Sequence, residues 1–170
     1  AYDLVQPSEY AVESLVKQNL LLPLDHAKLS NLGNLDATYT TLAFDPGNKY
    51  SVPWMSGTVG IVYNAEKIKD PIKGFADVFQ DKYMGRIVVL DDAREMVTWA
   101  MATKGIGPND INDQNLEQAR PILRQWLKLV KVFDSDSPKT ALSNGDCDLG
   151  IVWSGEAALL HQEDAAKWKY

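Results

Sequence analysis

The chain has 170 residues, 45% hydrophobic and 24% charged, with 23 acidic against 17 basic side chains and a formal net charge of −6. That length can bury the core of one medium domain or of two small lobes. The acidic balance, without any Lys/Arg cluster, excludes the basic face that nucleic acid or an anionic membrane demands, and no apolar run approaches the ~18 residues of a membrane span.

The opening stretch, Ala1-Tyr2-Asp3-Leu4-Val5, reads as a strand already under way, and so as part of something longer. The opening residues themselves do not have a signal-peptide pattern. Gln6-Pro7-Ser8 then leads into a helix from about Glu9 to Leu21, with Leu15, Val16, Leu20 and Leu21 at helical spacing and Pro23 as the stop. A turn-rich stretch through Asn31, Gly33, Asn34, Pro46 and Gly47 follows. Tyr50–Trp54 and Gly57–Tyr63 read as extended, and Phe75–Phe79 as helical. Arg86–Leu90 is apolar on both faces, as a buried parallel strand should be. Asp91-Asp92-Ala93-Arg94-Glu95 opens a helix to about Thr103. A longer helical pattern covers Leu116–Val130, with Pro121 marking either its start or a kink. Ser137-Pro138 begins a short helix closed by Gly145, Leu149–Trp153 is the last clear strand, and a helix runs on through His161. Strands alternating with helices predict an α/β fold with a mostly parallel sheet.

Chemistry-bearing residues are few. Cys147 stands alone between Asp146 and Asp148, so it offers no internal disulfide, and the neighbouring charges raise its thiol pKa. His26 and His161 are far apart and lack metal-ligand spacing. In open α/β sheets, ligands bind beyond the C-terminal ends of the strands. Three junctions place functional groups there: Ser8 and Tyr10, Asp92 and Glu95, and Trp153. Each also has a structural reading. Asp92 can be an N-cap with Glu95 as its capping-box partner, and Ser8 can cap the first helix. Trp153 and Tyr10 can simply pack. If the groups share a cleft, two carboxylates favour a cation, and an ammonium group offers several N–H donors for charge-assisted bonds. An indole face binds cations and shields methylenes. Calcium or magnesium is the weaker choice, because the dense oxygen ligands of a calcium loop are missing.

In these residues the chain resembles the bacterial polyamine-binding proteins of ABC importers, the spermidine/putrescine group of periplasmic binding proteins. The resemblance runs through Tyr2–Tyr10, Leu24–Leu35, Phe44–Asn48, Ser51–Trp54, Asp91–Glu95 and Gly150–Gly155, in order, across nearly the whole chain. It implies a type II periplasmic-binding-protein-like architecture of two α/β lobes, here incomplete. Residues 1–57 would form part of lobe 1 up to the hinge, and 58–170 most of lobe 2. Ser8 and Tyr10 would reach the polyamine from one lobe. Asp92 and Glu95 would hold its amines from the other, with Trp153 on its methylenes. Ser56 stands where the family usually carries an aromatic. The implied role is capture of spermidine or putrescine for a membrane permease, in the periplasm or outside the cytoplasm, with no cofactor, no nucleic acid and no membrane insertion of this chain. An isolated fragment is expected to bind weakly and to self-associate. Two alternatives stay open: the same fold for an amino acid or other organic cation, and an enzyme using Asp92 and Glu95 as a general acid/base pair. The enzyme reading lacks a nucleophile, a metal set or a cofactor motif.

Overall fold

The computed structural model describes residues 2–170. The chain divides into two compact units between Ser56 and Gly57.

In the first unit the expected opening strand is absent from the described residues, and Ala1 lies outside them. Tyr2 and Leu4 are each 90% exposed, and without a neighbouring ladder to take its N–H and C=O groups an extended segment does not become a strand. Helix α1 spans Glu9–Lys17 and buries Val12. It ends earlier than its apolar spacing predicts because Asn19 takes a left-handed φ of +57°. The Asn19 amide then donates to the Val16 carbonyl and the Leu20 amide to the Leu15 carbonyl, both at 3.0 Å. This is the double bond of a Schellman stop, in which asparagine substitutes for glycine. Further on, buried Asp45 organises a loop. Its carboxylate accepts from the Lys49, Tyr50 and Ser51 amides and from the Ser51 hydroxyl. Tyr50–Trp54, expected to be extended, belongs to no strand.

The second unit is a five-stranded sheet in the order β3-β2-β4-β1-β5. Its strands are β1 (Val59–Asn64), β2 (Ile87–Val89), β3 (Val130–Phe133), β4 (Leu149–Trp153) and β5 (Trp168–Lys169). β2 pairs in parallel with β3 and β4, whereas β1 is antiparallel to both β4 and β5. The sheet is therefore mixed: parallel in the part that follows βα connections, antiparallel at the other margin. The helices are α2 (Phe75–Val78), α3 (Ala93–Ala102), α4 (Asp113–Trp126), α5 (Pro138–Ser143) and α6 (Ser154–Glu163).

Because side chains alternate along a strand, the central strands feed two cores. Ile87, Val89, Leu149 and Ile151 join Val78, Met96, Trp99, Ala119 and Trp126 on the face covered by α2, α3 and α4. Val62, Val88 and Val152 join Leu142, Ala157 and Leu160 on the face covered by α5 and α6. Phe79 stacks on Trp126 at 4.0 Å between ring centroids in the first of these cores. α4 begins before the predicted Leu116 and carries Pro121 inside it. It stops at Trp126, and the following apolar residues leave the helix to form β3. At the edge opposite the strand C-termini, Asp148 is paired with Lys67 at 2.7 Å and Arg86 at 2.6 Å.

Candidate functional site

Adjacent parallel strands β2 and β4 send their chains in opposite directions. β2 exits into α3 on one face and leads on to β3; β4 exits into α6 on the other face and leads on to β5. Divergence of this kind opens a crevice at the C-terminal ends of the two strands. Val89 of β2 lies opposite Ile151 of β4, so Asp92 and Trp153 follow their paired residues by three and two positions. Within the second unit, Asp92, Glu95 and Trp153 thus arrive at one sheet edge.

Asp92 is the N-cap of α3. Its Oδ1 accepts from the Arg94 amide at 2.9 Å and the Glu95 amide at 3.1 Å. The cap satisfies two amides that a helix start leaves without partners, and the helix dipole favours a negative charge there. Glu95 occupies the first turn of α3, and both acids are half-buried. The start of α3 thus carries two carboxylates three residues apart.

Trp153 is the last residue of β4, half-buried against the core that contains Ile151. Its indole Nε1 donates to the Ser135 carbonyl at 3.0 Å. Next to it, the Ser154 amide donates to Thr58 O at 2.8 Å and the Thr58 amide to Ser154 Oγ at 3.2 Å, which closes the start of β1 onto the same edge.

In the first unit, Ser8 takes the N-cap position of α1, but its hydroxyl makes no capping bond, contrary to the structural reading of that residue. Tyr10 lies in the first turn of α1 and is 37% exposed. Ser56 Oγ lies 3.3 Å from the Tyr39 hydroxyl.

The turn after β3 is not among the sequence-predicted sites, because the helical pattern runs on through Val130, the first residue of β3, and residues 131–133 carry no predicted element. Asp134 follows the strand, and its Oδ1 accepts from the Asp136 and Ser137 amides at 2.8 and 3.0 Å. The Ser135 hydroxyl is buried without a hydrogen-bond partner. The missed signal was the alternation Val130-Lys131-Val132-Phe133 running into Asp134, a strand period followed by a turn residue.

The remaining reactive side chains are occupied structurally. Burial, more than the neighbouring aspartates, pushes the Cys147 thiol up to about 11. His26 Nε2 lies 2.8 Å from Asn48 O and His161 Nδ1 lies 3.2 Å from Trp168 O. Among the described residues no group of three His, Cys, Asp or Glu side chains is arranged to hold a metal ion. Nor is any helix among them long and apolar enough to cross a membrane.

Residues 1–170 match the family model of the bacterial extracellular solute-binding proteins. The chain belongs to this family. Among curated members, the spermidine/putrescine-binding periplasmic protein of Escherichia coli K12 is 34% identical over 164 residues, covering 95% of this chain and 47% of its own. A putrescine/agmatine-binding protein of Pseudomonas aeruginosa is 30% identical, covering 99% of this chain and 50% of its own. The chain thus spans about half the length of the curated relatives it matches. Among solved structures, a Listeria monocytogenes protein assigned to a spermidine/putrescine ABC transporter superposes with a TM-score of 0.85 at 34% identity, over 96% of this chain and 51% of its own. The substrate-binding protein of a spermidine/putrescine ABC transporter from Streptococcus pneumoniae gives 0.70 at 29% identity, over 96% and 50%. The α/β fold expected from the sequence is the one this member has, and it shares that fold with these solved relatives over about half of their length.

Proposed function

We propose that this solute-binding protein captures a polyamine, of the spermidine or putrescine class, outside the cytoplasm and presents it to the membrane permease of an ABC importer. The observation that carries the reading is the convergence of Asp92, Glu95 and Trp153 on one sheet edge, at the point where two parallel strands diverge. Carboxylates bind ammonium groups through charge-assisted hydrogen bonds, and an indole covers the methylenes between them. The named ligands of the Escherichia coli and Pseudomonas aeruginosa relatives support the same chemistry. The acids act as fixed charges, not as proton donors, and the protein is not an enzyme. Ser8 and Tyr10 are proposed as further ligand contacts on the resemblance alone, and residues 1–57 and 58–170 as parts of two lobes.

The test is calorimetric titration of the protein, expressed with whatever sequence its gene encodes on either side. Putrescine and spermidine are compared with a neutral amino acid and a glycoside. Saturable binding of the polyamines alone is the expected result. Binding of the amino acid or glycoside in their place would assign the fold to another solute.

A further inference from the structure

We infer that Asp134 is a positioning residue for Trp153, fixing the turn whose carbonyl holds the indole at the proposed polyamine site. The inference rests on the polyamine reading only for what the indole is held against.

An indole has one hydrogen-bond donor. In Trp153 that donor is spent on the Ser135 carbonyl at 3.0 Å. A tryptophan at the end of a strand can turn about two side-chain bonds, and one bond to a rigid acceptor removes both freedoms. The acceptor is rigid only if its turn is. Asp134 makes it so from two directions. Its amide donates to Val89 O at 2.9 Å, tying the start of the turn to β2. Its carboxylate then accepts from the Asp136 and Ser137 amides, folding the backbone on both sides of Ser135 into one shape. Asx turns of this kind substitute a side-chain oxygen for a backbone acceptor. The three parallel strands are joined at their C-terminal edge by this chain of contacts: β3 through Asp134, β2 through Val89 and β4 through Trp153. A side chain ordered before the ligand arrives need not be ordered by it, and such preorganisation raises affinity.

The measurement is hydrogen exchange at the tryptophan indole N–H groups, by NMR of the 15N-labelled protein, with Trp153→Phe to assign its signal. Putrescine titrations run in parallel. In the unaltered protein the Trp153 N–H should exchange at least about tenfold more slowly than that of Trp54, which is 79% exposed. Asp134→Ala should abolish most of that difference while buried Trp99 and Trp126 stay protected, and should weaken putrescine binding by about three- to tenfold. Asp134→Asn, which keeps an accepting oxygen, should restore both. Unchanged Trp153 exchange in Asp134→Ala, with Trp99 and Trp126 still protected, would overturn the inference. If Asp134→Ala fails to fold, the unaltered protein decides, because Trp153 exchanging as fast as Trp54 would overturn it equally. Slow Trp153 exchange that Asp134→Ala releases, in a protein that never binds putrescine, would uphold the positioning and overturn the polyamine reading instead.

Discussion

Asp92 caps α3, a role that its sequence position alone could not separate from the ligand role proposed for it. The pattern of an acid three residues before Glu95, at the start of an apolar helix, is equally that of a cap and of a ligand pair. The structure realises the cap, with Oδ1 receiving both amides. Asparagine caps about as well as aspartate, so Asp92→Asn should cost less than about 1 kcal/mol, the size of the lost charge–dipole interaction. Asp92→Ala removes the acceptor and should cost about 0.5–2 kcal/mol. Urea denaturation of the two variants measures the difference; equal losses would mean that the amides are satisfied without the side chain. At this scale the residue types were legible and their partners were not. Ser8 has the sequence of a capping serine but makes no capping bond. The partner of Trp153 lies 18 residues upstream, in a turn that no local pattern connects to it.

Elements were legible where one period ran uninterrupted. β2 and β4, apolar on both faces, were placed from sequence, as were α3 and α5. β3 was not, because Leu127, Leu129 and Val130 extend the helical spacing of α4, and only the alternation after Val130 reveals the change to an extended backbone. β5 has two residues and is defined entirely by its pairing with Tyr63 and Asn64. The pairing of β4 with β2 depends on a glycine. A Cβ on Gly150 would lie 2.6 Å from both the backbone oxygen and Cγ1 of Val88. Backbone cannot yield as a flexible side chain can, so Gly150→Ala should cost about 1–3 kcal/mol, as overpacked cores do. Thermal denaturation checks this. A variant as stable as the parent would show that the two strands separate without penalty.

At the scale of the whole molecule, the acid limit of stability is set in part by Asp148. Burial raises its carboxyl pKa, but the hydrogen bonds and charges of Lys67 and Arg86 outweigh burial and hold it below the ordinary value. A carboxyl lowered in the folded state contributes stability that is complete above its unfolded pKa of about 4 and is lost as pH falls through the folded value. Stability followed from pH 6 to 2 should therefore decline below about pH 4. Asp148→Asn should be less stable at pH 6 and show a shallower decline; a parallel curve would remove Asp148 from the account. The α/β class followed from the alternation of elements. The antiparallel margin did not, because β1 finds its partners in strands 85 or more residues away, such as Val59 against Trp153, and no sequence period encodes direction.

The central claim is that a polyamine is held by the charges of Asp92 and Glu95. Calorimetry with spermidine on the protein expressed with its flanking sequence, beside Asp92→Asn and Glu95→Gln variants that keep shape and remove charge, tests it most directly. Each single variant should lose about 1.5–3 kcal/mol of binding free energy, the scale of a hydrogen bond to a charged group, with little change in melting temperature. Spermidine affinity equal to that of the unaltered protein in both variants would contradict the claim.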